Sequence, residues 1–352
     1  MVTPAVPRSL PGALDELRHR GRPVRAARAM AGDVSRRSYV RLELQAGGTA
    51  VLALYPPDLE ETCRRYLASG RLLAGAGVRV PEVLEEDCGA GWVLLEDLGE
   101  RTLYEHRGRP WSELALWFEE AVAALGRIAA LAPGEVAALN PPLDGALLRR
   151  ELRQTRELFL EPLGLDGGRA ASGRRDEPPL ARELEAALAT LCDRLGAEPA
   201  APCHRDFGAR NLVPLGPAGA AETGPGAAVG VLDHQDLRLG PPAYDLASLL
   251  NDSLFPPPDL EERLLGRAGV AGAGADRESY HRAAGQRTLK AVGSYAAFAR
   301  RGDGRHLPLI PPTLGRALAH LGRLPETAAL APRLGELWRP ALAGERLERL
   351  LP

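Results

Sequence analysis

Residues 203–214 read Cys-His-Arg-Asp-Phe-Gly-Ala-Arg-Asn-Leu-Val-Pro and place an acid, Asp206, five positions before an amide, Asn211, at the start of an apolar run. A second stretch, 229–236, reads Val-Gly-Val-Leu-Asp-His-Gln-Asp, and its apolar part leads into another acid, Asp233, 27 positions after Asp206. If the two runs pair as a hairpin, Asn211 and Asp233 come side by side, because antiparallel partners lie about 5 Å apart. An amide oxygen beside a carboxylate suits Mg²⁺, which takes one or two protein oxygens and leaves its other positions to substrate phosphates. Asp206 is then free to accept a proton from a hydroxyl. Together the three side-chain types point to transfer of a phosphoryl group to an alcohol.

Such a loop needs elements to hold it. Residues 10–31 read as a short amphipathic helix and a Pro-interrupted lead-in. Val40, Leu42 and Leu44 then alternate with Tyr39, Arg41 and Glu43, the period of a half-buried strand. The turn residues Gln45 to Gly48 follow, and Thr49 to Tyr55 form a second strand, so the pair reads as a hairpin. A helix is expected next, with Asp58 as N-cap, Glu60 and Glu61 in its first turn, and Gly75 or Gly77 at its end. Two more strands around a turn complete a β-β-α-β-β block over 32–99. From about 111 the chain carries apolar residues at three- and four-residue spacing, with a loop at 166–179 and a Gly-rich hairpin tip at 216–228. The expected fold class is α+β with two lobes: a small mixed lobe over 1–100 and a large helical lobe over 101–352. No internal repeat is apparent.

Composition narrows the partners. Charged residues make up 26% of the 352 and net charge is −2, which lacks the basic surplus needed to bind nucleic acid or an anionic membrane by neutralising phosphates. No stretch approaches the ~20 apolar residues of a membrane span, and residues 1–12 lack an apolar leader core. Cys63, Cys88, Cys192 and Cys203 form no C-x-x-C pair, so they are expected to be free thiols in a reducing compartment, the cytoplasm. Lys290 is the only lysine among 44 basic residues.

The layout of an acid in a His-Arg-Asp loop, an amide five residues on and a metal acid after the next strand resembles a kinase catalytic loop. With Pro242-Ala-Tyr-Asp245-Leu-Ala247 it is similar to the aminoglycoside phosphotransferase and choline kinase superfamily, and so to a two-lobed protein-kinase-like fold. Segments 35–42, 56–87, 204–212, 231–252 and 286–307 resemble, more narrowly, bacterial cell-wall sugar kinases, which phosphorylate the anomeric hydroxyl of N-acetylmuramate and N-acetylglucosamine. The likeness runs from about 30 to 310. It implies ATP and Mg²⁺ as cofactors, a small sugar as acceptor, and a sugar-1-phosphate nucleotidyltransferase as pathway neighbour.

The resemblance assigns roles residue by residue. Asp206 is the catalytic base that orients and deprotonates the hydroxyl, and Asn211 and Asp233 are the metal ligands. Asp245 braces the catalytic loop, although its place before Leu-Ala also fits an N-cap. His204 is expected to buttress the loop by a hydrogen bond. Arg210, Gln235 and Asp236 are candidates for the acceptor, with a turn role as the alternative for the last two. Asp252 reads as a solvated charge at a helix end. His234 stands where many relatives carry an aromatic residue. The small lobe departs from the kinase pattern, because the strand 49–55 lacks the usual phosphate-binding Lys and no Gly-x-Gly-x-x-Gly precedes it. Ser35 and either Arg37 or Arg41 are expected to take the phosphates, with Glu60 or Glu61 orienting the Arg; a solvated basic turn is the alternative. The backbone of Glu96, Asp97 and Leu98 is expected to meet adenine. Same-fold kinases acting on aminoglycosides, choline or homoserine are rivals, as is a pseudokinase that only binds nucleotide. Aromatic residues are 5% of the chain, which disfavours a cage for a quaternary amine.

Overall fold

A computed structural model describes residues 9–30, 36–167, 180–216, 228–270 and 272–352. Ser35, most of the loop at 166–179 and the hairpin tip at 217–227 lie outside the described residues. The first part of the chain builds one antiparallel sheet from β1 (Val24–Ala29), β2 (Ser38–Leu44), β3 (Thr49–Leu54), β4 (Val83–Asp87) and β5 (Trp92–Glu96) in the order β1-β2-β3-β5-β4. Alternation sends its two faces to different partners. Val40, Leu42, Leu52 and Leu94 join Leu17 of α1 (Leu10–His19), while Ala53, Val93 and Leu95 join Cys63, Tyr66 and Leu67 of α2 (Glu60–Gly75).

Three features of this sheet differ from the sequence reading. The lead-in before residue 31 contains β1, an edge strand whose residues Val-Arg-Ala-Ala-Arg-Ala are mostly exposed and carry little β signal. Asp58 does not cap α2: a 3₁₀ turn over Pro57–Leu59 precedes the helix, and the Asp58 carboxylate pairs with Arg36 instead. The third is covalent. Cys63 on α2 and Cys88 after β4 are joined in a disulfide with their Cα atoms 5.7 Å apart, so these two are not free thiols. The bond ties α2 to the β4–β5 turn across 25 positions. Cys192 and Cys203 remain free and buried, and burial pushes the Cys192 thiol up to about 12.

The disulfide carries a stability prediction. Closing a loop of this length removes unfolded-state entropy worth roughly 3 kcal/mol. Replacing Cys63 and Cys88 together with Ala, or reducing the wild type, should therefore lower the unfolding free energy of the small lobe by about that amount, seen as a lower denaturant midpoint at unchanged slope. Identical midpoints with and without reductant, together with four titratable thiols in the denatured protein, would show that the bond does not form in solution.

The remainder is helical: α3 (Trp111–Ala129), α4 (Pro133–Ala137), α5 (Gly145–Thr155), α6 (Glu161–Leu163), α7 (Leu180–Gly196), α8 (Tyr244–Asn251), α9 (Pro258–Arg267), α10 (Ala275–Ala299) and α11 (Ile310–Leu321), followed by the short helices α12 (Ala331–Leu337) and α13 (Arg339–Leu342). α3 buries Leu114, Trp117, Phe118, Ala121, Val122 and Ile128 at helical spacing. α10 is 25 residues long and buried on nearly every side, with Ala and Gly where neighbours approach closely. Two small ladders interrupt the helices, β6 (Ala201–Cys203) with β9 (Arg238–Gly240) and β7 (Leu212–Leu215) with β8 (Ala228–Val231). They frame the loop containing Asp206 and the turn containing Asp233. Among the described residues no helix is long and apolar enough to cross a membrane.

Candidate active site

The loop between β6 and β7 is held from below by one buried carboxylate. Asp245, in the first turn of α8, accepts hydrogen bonds from the backbone N–H of His204 (2.6 Å) and of Arg205 (2.8 Å) and from the Cys203 thiol (3.3 Å). These bonds hold Arg205 in a left-handed conformation at φ 79°, which is costly for a residue with a Cβ. Burial pushes the Asp245 carboxyl up, and His204 and the three donors act against that. His204 itself reaches the Leu232 carbonyl through Nε2 at 3.0 Å and so ties the loop to the Asp233 turn.

Asp206 follows, with a side chain 28% exposed and therefore open to a ligand. Its Oδ1 accepts from Lys290 Nζ at 2.9 Å and lies 3.3 Å from Arg287 Nη2, both on α10. Its Oδ2 has Arg205 Nη1 at 3.8 Å. Burial alone would raise the Asp206 pKa, but Lys290, Arg287 and Arg205 outweigh it and hold the carboxyl well below the usual carboxylate range. Behind this group Glu151 of α5 takes Arg205 at 2.9 Å and Gln286 at 3.1 Å, with Lys290 at 3.6 Å.

Asn211 and Asp233 lie at the same end of the β7–β8 hairpin. Leu212 stands opposite Val231, and the Leu232 N–H donates to the Asn211 carbonyl at 2.8 Å. The Asn211 side chain donates through Nδ2 to the Asp206 carbonyl at 2.8 Å, which leaves its amide oxygen as an acceptor. Asp233 sits at φ 58° with a side chain 36% exposed. Its Oδ1 accepts from Arg37 at 2.6 Å. Among the described residues no group of three His, Cys, Asp or Glu side chains could hold a metal ion. The donor set is one amide oxygen and one carboxylate, and this fits Mg²⁺ with phosphate oxygens and waters completing its shell.

His234 carries the Asp233 turn onto α2. It stacks on Tyr66 at 4.3 Å and donates from Nδ1 to Ser69 Oγ at 2.9 Å, since the Ser69 hydroxyl gives its proton to the Tyr66 carbonyl. Burial, with His204 and Arg37 nearby, lowers the imidazole to about 3, so it is neutral and packs as an aromatic ring. Leu98 closes the other side: a Cβ at Gly230 would lie 2.5 Å from Leu98 Cδ1, so a larger residue there would push the Leu98 side chain aside.

Several sequence expectations change at this point. Arg41 is not at a phosphate position. Its fork is spent on Asp97 (2.7 and 2.9 Å), Glu100 (3.0 Å) and the Gly99 carbonyl (2.7 Å), and it is buried there. Glu60 pairs with Arg64 at 2.7 Å and does not orient Arg37, whose partners include Asp233 and Gln235. The Glu96 N–H goes to the Glu82 carbonyl and its carboxylate to Arg79, so neither of these groups is open to adenine. Gln235 accepts from Arg37 at 3.0 Å, and Asp236 is shared by Arg205 (3.1 Å) and Arg238 (2.8 Å). Arg210 lies over the Tyr104 ring at 3.8 Å. Asp252 is not a solvated charge: it binds Arg287 at 3.3 Å and the Tyr295 hydroxyl at 3.0 Å, and a Cβ at Gly208 would meet its Oδ2 at 2.5 Å. Lys290 and Glu151 had no assigned role, and the one available signal was that Lys290 is the chain's sole lysine.

This arrangement can hold nucleotide phosphates between Arg37 and the Asn211–Asp233 pair and bring a hydroxyl against Asp206. The chain as a whole is similar to known proteins. Over 337 residues the chain is 32% identical to an N-acetylmuramate/N-acetylglucosamine kinase of Pseudomonas putida, covering 91% of each. Over 324 residues it is 33% identical to the enzyme of that name from Pseudomonas aeruginosa, covering 87% of this chain and 86% of the other. The fold is that of an ADP-bound aminoglycoside phosphotransferase (TM-score 0.55, 14% identity, 88% and 97% covered) and of a choline kinase from Streptococcus pneumoniae (0.54, 14%, 91% and 98%). The model of the phosphotransferase enzyme family matches residues 26–286, and with the site and fold above this places the chain in that family, as a small-molecule phosphotransferase with the two-lobed α+β kinase-like fold.

Proposed function

We propose that the protein transfers the γ-phosphoryl group of ATP to the anomeric hydroxyl of an amino sugar, N-acetylmuramate or N-acetylglucosamine. The observation that carries this reading is the end-to-end similarity to two kinases named for those sugars, combined with the convergence of Asp206, Asn211 and Asp233. Residues 1–100 form the nucleotide lobe and 101–352 the acceptor lobe. Asp97 and Leu98 meet the adenine, and Arg37 exchanges its bond to Asp233 for phosphate oxygens, as a planar fork suits. Asn211 and Asp233 hold Mg²⁺, which when bound neutralises charge on the transferring phosphates. Arg210, Gln235 and Asp236 border the acceptor. The hydroxyl oxygen bonds to the γ-phosphorus as the bond to the β,γ-bridging oxygen breaks, ADP leaves with that electron pair, and the hydroxyl proton passes to Asp206. An enzyme that draws on ATP would work in the cytoplasm, where a bond such as Cys63–Cys88 is an uncommon feature.

A sugar 1-phosphate is a substrate for nucleotidyl transfer, so a nucleotidyltransferase is the expected next enzyme. The test is ADP release with N-acetylglucosamine, N-acetylmuramate, their methyl glycosides, kanamycin, choline and homoserine. Both free sugars should turn over, and both methyl glycosides should fall to background because the reacting hydroxyl is blocked. Equal turnover of the glycosides would rule out anomeric transfer. Turnover with kanamycin, choline or homoserine alone would move the acceptor to a sister activity. Nucleotide binding with no turnover on any acceptor would favour a pseudokinase.

A further inference from the structure

We propose that Lys290 is a positioning residue for phosphoryl transfer: its ammonium commits one oxygen of Asp206 and leaves the other for the acceptor hydroxyl. The inference rests on Asp206 being the group that receives the hydroxyl proton. Its basis is an asymmetry in how the carboxylate is held. Oδ1 takes Lys290 at 2.9 Å and has Arg287 at 3.3 Å, whereas among the described residues Oδ2 has only Arg205 at 3.8 Å, beyond hydrogen-bond distance. A carboxylate held at one oxygen by two cations on a rigid helix cannot rotate to offer that oxygen elsewhere. The side chain is nevertheless 28% exposed, so the remaining oxygen is within reach of a ligand.

Lys290 is itself well anchored. It lies on α10, its side chain is 12% exposed, and Glu151 of α5 stands 3.6 Å from Nζ. Gln286, one turn earlier on α10, donates to the same Glu151 at 3.1 Å. The residue type is informative as well. Of 44 basic residues only this one is lysine. A guanidinium presents five donors in a plane and needs acceptors around its rim, whereas an ammonium is a compact point charge. Around Asp206 the nearby carboxylates are already engaged: Glu151 and Asp236 by Arg205, and Asp252 by Arg287. A third fork beside these two would find few acceptors left, and an ammonium needs fewer.

The test is a double-mutant cycle with Asp206→Asn, Lys290→Met and the pair, read as kcat, nucleotide KM and thermal midpoint, using N-acetylglucosamine or whichever acceptor of the panel above turns over. Lys290→Met should lower kcat roughly 10–100-fold, the usual cost of losing a group that orients a reacting one. Nucleotide KM should stay within about twofold, and Lys290→Arg, which keeps the charge, should recover part of the loss. In the Asp206→Asn background the same Lys290→Met change should cost no more than about twofold, because the proton acceptor that Lys290 orients is already lost, even though the Asn oxygen can still bind the ammonium. The double variant removes both partners, leaves no uncompensated charge, and guards against a single variant that fails to fold. An unchanged kcat in Lys290→Met would overturn the proposal. So would an undiminished loss in the Asp206→Asn background, or a kcat loss matched by lost nucleotide binding and a fallen midpoint that Lys290→Arg does not restore. Wild-type turnover in Asp206→Asn alone would remove the assignment of Asp206, and this one with it.

Discussion

Replacing Asp206 with Asn is expected to lower kcat by roughly 10²–10⁴, the range for a positioned general base, with nucleotide affinity little changed. Asn keeps the size of the side chain and an oxygen for Lys290, so the ammonium retains its hydrogen bond while the proton acceptor is lost. The environment of Asp206 bears on what kind of base it is. Three cations hold it far below the usual carboxylate range, against the effect of burial, so it has little intrinsic appetite for a proton. A weak base suits a transition state in which the phosphoryl group is loosely bound and the hydroxyl proton leaves late, since the main tasks are then orientation and charge. The depressed value also fixes a sign. A carboxylate lowered in the folded state contributes stability that is full above its unfolded value, about 4, and is lost as pH falls through the folded value. The stability difference between wild type and Asp206→Asn should thus be constant from about pH 8 to pH 5 and shrink below about pH 4. A kcat loss accompanied by an equal loss of nucleotide binding would make Asp206 a structural residue.

Local patterns in the sequence pointed to the parts of this site, and contacts between distant segments completed it. The five-residue interval from Asp206 to Asn211 and the apolar run before Asp233 are legible because each lies within a single turn or strand. Asp245 was legible for the same reason, as an acid at the start of an apolar helix. Arg37 and Asp233 are 196 positions apart, and Lys290 and Asp206 are 84 apart, so no periodicity links them. α10 hid its role for another reason: it is buried on nearly all sides, and a helix without a polar face leaves no stripe to read. β1 hid behind Ala and Arg on an exposed edge, where packing does not dictate residue type. Arg41 misled because a basic residue near a phosphate loop looks free until Asp97, 56 positions on, is seen to claim it. The Cys63–Cys88 pair misled similarly, since spacing alone cannot show that a helix and a strand turn bring two thiols together.

The Asp233→Ala variant should lose turnover by roughly 10³-fold or more, because a metal ligand supports several kcal/mol of charge stabilisation in the transition state. The fold should survive. The Asp233 side chain is 36% exposed, and the turn is held independently by His234 on Tyr66 and Ser69 and by the Leu232 N–H on Asn211. Some local cost is expected, since Ala tolerates the left-handed backbone at φ 58° less well than Asp. The substitution also frees Arg37 from its 2.6 Å bond, so loss of metal binding and release of the Arg must be told apart. Arg37→Met supplies the comparison. It keeps both metal ligands and removes the phosphate fork, so nucleotide KM should rise while the Mg²⁺ requirement remains. In Asp233→Ala, by contrast, the thermal shift given by ATP should become independent of Mg²⁺. If Asp233→Ala turned over at the wild-type rate, or if its ATP-induced shift still needed Mg²⁺, Asp233 would not be a metal ligand, and its carboxylate would serve only to hold Arg37 in place.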